Sequence, residues 1–457
     1  MNYTEELKTL FKNISLNALG VERDFLTLLN DKDVAKAVSM MQNRSEEVDV
    51  AIKEYHSETH KVMDRRDKHR KNDRPYEVEK LPRSRQVYIN EIELFFLLGA
   101  PLLYNKKDGD DSAYELFTSF IDDYRMNTLH REFKRLCGSE TEAAIVFHMF
   151  RGENNTIECK PFIAARSTGY DIRPMFDQYG NMLAFAYGYK VKDSTGTKQM
   201  WEILTPKMNF TCKHNKLGWE VEARENLVGK ICAIYGKQQK PWGGVQRRIE
   251  REEMIDSKTA DTNNYFADPI AYATADVVKL MGENKDRIGT LLQYTGKDSQ
   301  FGYINPPQNS ETRRDEKTEL GSSILFDTFT PDLSYENIKG LGSLSGVALE
   351  NALMLGFIKR AANIDIYGEL FDREKNVILA ILKVMHPEKR AALDALNVVV
   401  TFQSPFVNQK EGMWTAIGNL YQSGVCSLET AVEMLSLTDA PEEEVAKIKA
   451  MQVKPTE

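Results

Sequence analysis

The sequence has few cysteines and no pattern that would bring them together. Its five cysteines are Cys137, Cys159, Cys212, Cys232 and Cys426, and no two of them form a C-x-x-C pair. An odd number at scattered positions predicts reduced thiols, with neither a disulfide framework nor a zinc site. The cysteine content therefore favours a cytosolic protein.

Long apolar runs and an excess of basic charge are also lacking. No run of about 18 apolar residues occurs, so the sequence predicts no membrane-spanning helix, and its first residues, MNYTEELKTLFKN, contain no apolar signal core. The 60 Lys and Arg residues are outnumbered by 68 Asp and Glu residues, which gives a net charge of −8. Proteins that hold nucleic acid by bulk electrostatic attraction usually have a basic domain, so this class is excluded.

Motifs for phosphate binding and catalysis are absent as well. No G-x-x-x-x-G-K-[ST] occurs, which argues against a P-loop ATPase or GTPase. The glycines of GLGSLSG (340–346) do not have the spacing of a nucleotide or nucleophile motif, so this stretch is predicted to be a loop. Carboxylates from distant positions could still converge on a two-metal nuclease site, which the sequence alone does not exclude.

Two stretches of the sequence place histidines where a functional role must be considered. His56 and His60 in HSETH stand one helical turn apart, but the H-E-x-x-H order and a third ligand are missing, so a surface helix is the favoured interpretation. His148 lies in AAIVFHMF, where a buried core histidine is expected. We therefore predict no catalytic residue, no metal site and no cofactor.

What is present is the composition of an ordinary globular protein. The chain has 457 residues, of which 42% are hydrophobic and 28% charged, enough for two to four structural units. Residues 1 to about 130 are predicted to be mostly helical, including the amphipathic stretch 22–42. The stretch KVMDRRDKHRKNDRP, which ends at Pro75, could contact DNA, although a solvated helix or loop is favoured. The apolar helix of KLPRSRQVYINEIELFFLLG is predicted to end at Gly99 and Pro101.

Two polar helices follow a segment of short alternating runs. The runs between about 145 and 240 predict antiparallel strands separated by turns. Long polar helices are predicted over 243–267 and from Ser310 to about Thr330. Between them, strands Ile288–Tyr294 and Phe301–Ile304 are predicted to form a hairpin.

The first polar helix has one narrow apolar stripe. That stripe consists of Val245, Ile249, Met254 and Ile255. Because neither polar helix has enough apolar surface for a core of its own, we expect them to pack side by side with other copies of the chain. Val245, Ile249 and Ile255 are the candidate packing residues.

The last third of the sequence is predicted to be mainly helical. A glycine-containing stretch after Pro331 leads into an apolar helix with Val347, Leu353 and Phe357, and a second helix is predicted over Leu370–Met385. NVVVTFQSP predicts a strand. Three short helices are then predicted around Trp414–Tyr421, Leu428–Leu437 and Glu442–Ala450, the last with a capping box.

Taken in order, these segments resemble the portal proteins of tailed bacteriophages, of siphophage type. The similarity spans about residues 80 to 450 and is carried by KLPRSRQVYINEIELFFLLGAP, RPMFDQYGNMLAFAYGYKV, NLVGKICAIYGKQQKPWGGVQ, LSYENIKGLGSLSGVALENALM and NVVVTFQSPFVNQ. The S-G-x-A-L within the fourth segment is the most specific match. The amino-terminal 80 residues and the short hairpin depart from the family pattern.

The resemblance implies an α+β portal fold in named parts. These are a mixed α/β wing (1–241), a stem of two long helices (242–268 and 308–330), a small β-containing clip (269–307), a tunnel loop (331–345), a tunnel helix with wing return (346–400) and a helical crown (401–457). It also implies that six residues of the tunnel loop lie nearest to DNA, at the narrowest point of a channel. They are Ser334, Tyr335, Asn337, Lys339, Leu341 and Ser343.

The resemblance further implies a function and a set of partners. A portal is a homo-oligomeric ring, usually of twelve subunits, at one vertex of the capsid in the virion, and is assembled in the host cytoplasm. Double-stranded DNA passes through it during packaging and ejection, and the terminase motor, the major capsid or scaffold protein and the head-tail adaptor dock on it. The acidic net charge fits a channel along which DNA must slide. Two alternatives remain open: a cytosolic oligomeric adaptor and a DNA-processing enzyme of the packaging machinery.

Overall fold

The computed structural model describes most of the chain, with gaps. The described residues are 24–67, 77–152, 156–193, 196–267, 271–273, 301–303, 310–334, 337, 339, 353–405, 410–435 and 441–452. By contacts they divide into two compact units. The first comprises residues 1–52, 87–241 and 329–457, and the second comprises residues 53–86 and 242–328. The described residues of 53–86 therefore lie in the same compact unit as those of 242–328. The predicted boundaries of wing, stem and clip stay a prediction.

Helices and strands occur in groups along the chain, with β2 to β9 following one another directly. The helices are α1 (24–30), α2 (Val34–Ser39), α3 (Ser45–Tyr55), α4 (Arg85–Leu98), α5 (Asp111–Asp123), α6 (Met126–Glu140), α7 (Gln246–Ala267), α8 (Ser310–Asp327), α9 (Met354–Met385), α10 (Arg390–Ala395), α11 (Lys410–Gln422), α12 (Leu428–Leu435) and α13 (Pro441–Gln452). The strands are β1 (Leu102–Asp108), β2 (Glu142–Arg151), β3 (Ile157–Ala164), β4 (Asp171–Phe176), β5 (Met182–Asp193), β6 (Gly196–Leu204), β7 (Met208–Asn215), β8 (Gly218–Glu225), β9 (Ala233–Lys237), β10 (Ala271–Ala273), β11 (Phe301–Tyr303) and β12 (Asn397–Phe402).

The first unit is built in layers around two antiparallel sheets. A three-stranded sheet has the order β3-β2-β9, and a five-stranded sheet has the order β4-β5-β6-β7-β8. One core lies between the three-stranded sheet and helices α4, α5, α6 and α9. A second core lies between the two sheets, and a third packs α1 and α2 on the other face of the five-stranded sheet. The predicted α+β class and antiparallel β segment are confirmed.

The alternation of strand side chains explains how two sheets can share one core. On β2, Ile145 and Phe147 face the helices, whereas Ala144 and Val146 face the five-stranded sheet. The turn between β4 and β5 is stabilised by an aspartate and a glycine. The Asp177 carboxylate accepts the amides of Tyr179 and Asn181 at 2.8 Å, and Gly180 has φ +85°, a conformation that glycine adopts without strain.

The first unit differs from the sequence-based expectations at two places. Residues 102–108, in the region expected to be mostly helical, form a strand that was not predicted, β1, which pairs with β12. The helix expected to stop before Leu370 instead runs without a break as α9. Because the intervening stretch has no proline, Gly368 costs only about 1 kcal/mol of helix propensity, and buried Tyr367 and Phe371 continue the packed stripe.

The second unit contains both predicted polar helices. α7 and α8 lie side by side in opposite directions, since Arg248 forms an ion pair with Asp327 and Asp256 forms one with Lys317 at 2.6 Å. β11 pairs with β10, a pairing that the sequence did not predict. The other predicted hairpin strand, residues 288–294, lies outside the described residues.

Candidate channel segment and stem-helix contacts

Half of the predicted channel residues lie in the described part of the chain. Ser334 is exposed, and its amide donates a hydrogen bond of 2.9 Å to the carboxylate of Asp332. Asn337 and Lys339 are exposed and have helical backbone conformation. Tyr335, Leu341 and Ser343 lie outside the described residues. The assignment of all six to a channel stays a prediction.

The start of this segment is attached to α4 by one side chain. The Tyr88 hydroxyl donates to the Pro331 carbonyl at 2.8 Å and accepts from the Leu333 amide at 2.8 Å. One phenol therefore satisfies two backbone groups, so Tyr88 fixes the point at which the segment begins.

The other flank of the segment packs on α4 through a close approach. A Cβ added to Gly356 of α9 would lie 2.3 Å from Cζ of Phe96, so no larger residue fits without a shift. The Phe96 ring also contacts the Phe357 ring edge to face, with centroids 5.4 Å apart. Gly356 is therefore needed for the contact between the two helices rather than for a turn.

A buried cluster of charges joins the same two helices. The Glu93 carboxylate on α4 lies 2.6 Å from Nζ of Lys134 and 3.1 Å from Nζ of Lys359 on α9, and all three side chains are buried or nearly so. Gln238 donates to Glu93 at 2.5 Å and accepts from the Tyr367 hydroxyl at 2.6 Å. Burial alone would raise the pKa of Glu93, but the two lysines lower it to about 2.

Helix α4 thus holds both flanks of the predicted channel segment. Tyr88 binds the residues before it, and Glu93 and Phe96 bind the helix after it. Sequence reasoning missed Tyr88 and Glu93, because each is a single polar residue in a helix recognised by its apolar residues. Their partners are distant in sequence, and no local pattern identifies them.

The predicted stem residues are buried within one chain. Val245, Ile249 and Ile255 are only 1%, 0% and 7% exposed. Helix α7 packs against α8 and against the short 3₁₀ turn Lys61–Asp64. That these three residues pack against other copies stays a prediction. A substitution there acts on the folding of the second unit before it acts on assembly.

An extended segment covers the polar side of α7 with a regular set of hydrogen bonds. The amides of Glu79, Leu81 and Arg83 donate to the side chains of Asp261, Ser257 and Glu253, at 2.7, 2.9 and 2.9 Å. Every second residue of an extended chain advances by about 6.6 Å, and every fourth residue of a helix by about 6 Å, so the two repeats match. We call this arrangement the polar ladder.

The polar ladder gives α7 partners within its own chain that its apolar stripe did not predict. Arg83 and Arg85 add ion pairs to Glu252 at 3.2 and 2.9 Å, and Glu252 and Glu253 are only 1% exposed. The composition of α7 predicts a solvent-exposed charged face, but in the structure part of that face is buried by the extended segment. The signal in the sequence is the i, i+4, i+8 spacing of Glu253, Ser257 and Asp261, acceptors that an extended chain can use.

His60 belongs to the same contact and is not on a surface helix as expected. α3 ends at Tyr55, and the His60 side chain is buried. Its Nδ1 lies 2.6 Å from a Glu253 carboxylate oxygen, and its Nε2 lies 2.8 Å from the Glu54 carbonyl oxygen. Since both neighbours are acceptors, the imidazolium form satisfies both. Burial lowers the pKa of His60, but the hydrogen bond to Glu253, the negative charge of Glu253 and the bond to the Glu54 carbonyl together outweigh it, so the pKa is raised.

A pH dependence of the second unit follows from this geometry. A histidine with a raised folded-state pKa contributes stability that is present below its unfolded pKa of about 6.5 and is lost as pH rises through the higher folded value. We expect hydrogen-exchange protection of residues 53–67 and 246–264, corrected for intrinsic exchange, to fall as the pH rises above about 6.5. His60→Gln should flatten this dependence. An unchanged pH profile in that variant would contradict the assignment.

The basic stretch weighed as a DNA contact is in part occupied within the chain. Arg65 lies 2.6 Å from the carboxylate of Asp261, and Lys61 lies 2.9 Å from that of Glu250. Residues 68–76 lie outside the described part. His148, expected in the core, is instead exposed on β2.

No group of His, Cys, Asp and Glu side chains in the described ranges has the arrangement of a metal site. Among the helices of the described residues, none has the length and apolar character needed to cross a bilayer.

Comparison with known proteins decides the family. The family model described as "Phage portal protein, SPP1 Gp6-like" matches residues 39–454. The chain belongs to this phage portal family. No curated protein matches it.

Two solved structures are similar to this portal protein at low identity. One is titled "Virion of native gene transfer agent (GTA) particle", with 9% identity, a TM-score of 0.40 and coverage of 78% of this chain and 89% of that one. The other is titled "Neck of native GTA particle computed with C12 symmetry", with 10% identity, a TM-score of 0.39 and coverage of 78% and 91%. Both TM-scores are below 0.5, and the family assignment rests on the sequence match.

Proposed function

We propose that this protein assembles into a ring, of about twelve subunits, at one vertex of a phage capsid. Genomic double-stranded DNA is packaged and ejected through the ring, which docks the terminase motor, the major capsid or scaffold protein and then the head-tail adaptor. The observation that carries the proposal is the family match over residues 39–454. The protein has a structural role and no catalytic one.

The channel is assigned to the segment after Pro331. Its two flanks are held on α4, by Tyr88 on one side and by Phe96 and Glu93 on the other. Contacts with α4 on both sides of the segment would keep it in place while DNA moves past it. Lys339 is exposed in this segment, and one lysine per subunit would form a basic girdle in an otherwise acidic ring.

Reversing the charge at Lys339 tests the channel assignment. Lys339→Glu should leave ring assembly intact but reduce the amount or length of DNA packaged or retained, because a weak contact with passing phosphates is replaced by repulsion. DNA content per particle is the measurement. Lys192→Glu, at an exposed position on β5, makes the same charge change elsewhere. Equal packaging in both variants and the native protein would show that Lys339 is not at the channel.

The assembly itself is tested by particle mass. Light scattering and ring-averaged electron micrographs of the chain co-expressed with its scaffold protein should show a closed ring. A chain that stays monomeric under these conditions and is absent from purified virions would support the cytosolic adaptor instead. DNA-stimulated ATP hydrolysis by the purified chain would support the enzyme.

A further inference from the structure

A cavity of about 750 Å³ opens between the two sheets of the first unit. Its walls come from the second half of β2, from the inner face of the five-stranded sheet, from the residues before β9 and from α9. The residues used below are Met149, Glu202, Asn209, Thr211, Val228 and Val384, all of which line it.

The cavity exists because β9 is shorter than β2. β2 pairs with β3 from Ala144 to Arg151, but its pairing with β9 ends at Val146 opposite Ala233. One further bond runs from the Phe147 amide to the Cys232 carbonyl at 2.9 Å. Before Cys232 the chain turns aside, and the Lys230 carbonyl accepts the side-chain amide of Asn226 at 2.8 Å. The second half of β2 therefore has an edge without a neighbouring strand.

Met149 presents its backbone to this edge. In an antiparallel ladder, successive residues direct their N–H and C=O groups to opposite sides, so Met149 shares the side of Phe147. In the described part of the chain, no strand pairs with Met149 on that side. An open edge with a donor and an acceptor is a template on which another extended chain can pair.

The wall formed by the five-stranded sheet presents hydrogen-bond acceptors. The Glu202 carboxylate accepts from the Thr211 hydroxyl at 2.8 Å and from the Tyr189 hydroxyl at 3.4 Å, and burial raises its pKa. The Oδ1 atom of Asn209, on the neighbouring strand, is buried with no hydrogen-bond partner in the described structure. The half-buried Glu202 carboxyl already accepts from two hydroxyls, and Arg224 on the same wall favours its charged form. The buried Oδ1 atom of Asn209 is therefore the acceptor on this wall that requires a donor from outside.

The opposite wall is apolar. Met149 and Val228 pack against the helical core, and Val384 of α9 completes this side. A strand added beside β2 would direct alternate side chains to the two walls. Its apolar residues would meet Met149, Val228 and Val384, and its intervening residues would meet Glu202 and Asn209.

We propose that this slot binds an extended segment of a partner protein, which adds to β2 in line with β9. The segment carries a lysine or arginine directed at Glu202 and Asn209, flanked on alternate positions by apolar side chains. Four residues of β2 beyond Phe147 span about 13 Å, so the slot takes four to five residues. The proposal is independent of ring formation and of DNA passage.

A panel of acetylated heptapeptides of alternating Val and Thr tests the slot. The central residue, whose side chain would face Glu202 and Asn209, is Lys, Arg, Glu or Leu in the four peptides. Binding to the full-length protein is measured by fluorescence anisotropy. We expect the Lys and Arg peptides to bind at least about tenfold more tightly than the Glu and Leu peptides. If no peptide binds, or if all four bind equally, the proposal is overturned.

Three variants separate the strand edge from the acceptor wall. Met149→Pro removes the N–H that faces the slot while the bonds from β2 to β3 remain, and it should abolish binding of the Lys peptide; circular dichroism checks that it folds. Glu202→Gln should remove the preference for Lys over Leu. Glu220→Gln, at an exposed position on β8, is the control and should retain it. Binding unaffected by both Met149→Pro and Glu202→Gln would show that the peptides bind elsewhere.

A longer competitor identifies the source of the segment. A peptide of residues 1–23 of this chain is added to the assay with the labelled Lys peptide. Failure to compete supports a segment of a different protein. Competition at comparable affinity would show instead that the chain, or a second copy, supplies the strand, which would overturn the assignment to a partner.

Discussion

Replacing Glu93 by glutamine should strongly destabilise the first unit. Glu93 is the anion for two buried lysines, Lys134 at 2.6 Å and Lys359 at 3.1 Å. Without it, two ammonium groups remain in a site where Lys134 is 0% exposed. Breaking a buried ion pair by removing one partner costs about 3–5 kcal/mol. We expect a loss of stability of that order.

Glu91, which is on the same helix as Glu93 and is paired with Arg135 of α6, provides a matched control. Glu91 lies 2.6 Å from Arg135, but both side chains are about 40% exposed. Exposed pairs contribute about 0–1 kcal/mol, so Glu91→Gln should be nearly neutral. Chemical denaturation followed by near-ultraviolet circular dichroism measures both variants. Equal stabilities of Glu93→Gln and Glu91→Gln would contradict the role assigned to the buried cluster.

The pKa of Glu93 adds a pH signature to the same experiment. Its folded value of about 2 lies below the ordinary glutamate value of about 4.3. A carboxyl with a lowered folded-state pKa contributes stability above its unfolded pKa, and this is lost as pH falls through the folded value. The native protein should therefore lose stability between about pH 4 and 2 more steeply than Glu93→Gln.

The elements that sequence could predict are those whose signal is local. The strands from β2 to β8 follow alternation and turn residues, and α7 and α8 follow helical spacing and length, so these predictions are confirmed. β1 was missed because only two of its residues, Leu102 and Tyr104, are buried in alternation. Its partner β12 lies almost 300 residues later, and such a pairing leaves no mark in a short window.

Contacts in which polar side chains bind the backbone of a distant segment were not predicted from the sequence. From its sequence, α7 has too little apolar surface for a core of its own, which predicted packing against other copies of the chain. In the structure, Glu253, Ser257 and Asp261 accept the amides of an extended segment from the same chain. Hydropathy cannot reveal this contact, because a given polar residue has the same hydropathy whether its side chain is buried and hydrogen-bonded or exposed to water.

The contacts that hold the candidate channel segment were likewise not predictable from the sequence. The position of a channel segment after Pro331 came from a family resemblance, but its attachment to α4 depends on Tyr88, a residue that periodicity treats as part of an apolar helix. The close approach of Gly356 to Phe96 likewise depends on two helices meeting. Long-range contacts of single residues determine how the segment is held, and they become visible only in the fold.

Replacing Ile249 by aspartate should unfold the second unit and, through it, prevent ring formation. Ile249 is 0% exposed on α7, in the helix that carries the polar ladder. A carboxylate there would be buried without a partner or would have to be protonated, and either cost is several kcal/mol. The loss also removes the hydrogen bonds from residues 79–83, because they depend on a formed helix.

Segment-resolved hydrogen exchange and particle mass separate the two effects. In Ile249→Asp, residues 246–264 and 77–86 should lose protection, whereas β2 to β8 of the first unit should keep theirs. Asn263→Asp adds the same charge to an exposed position of α7 and should change neither protection nor ring mass. If Ile249→Asp loses protection but still forms rings, the stem helices are not part of the ring contact. If it forms rings with full protection, the buried position assigned to Ile249 is wrong.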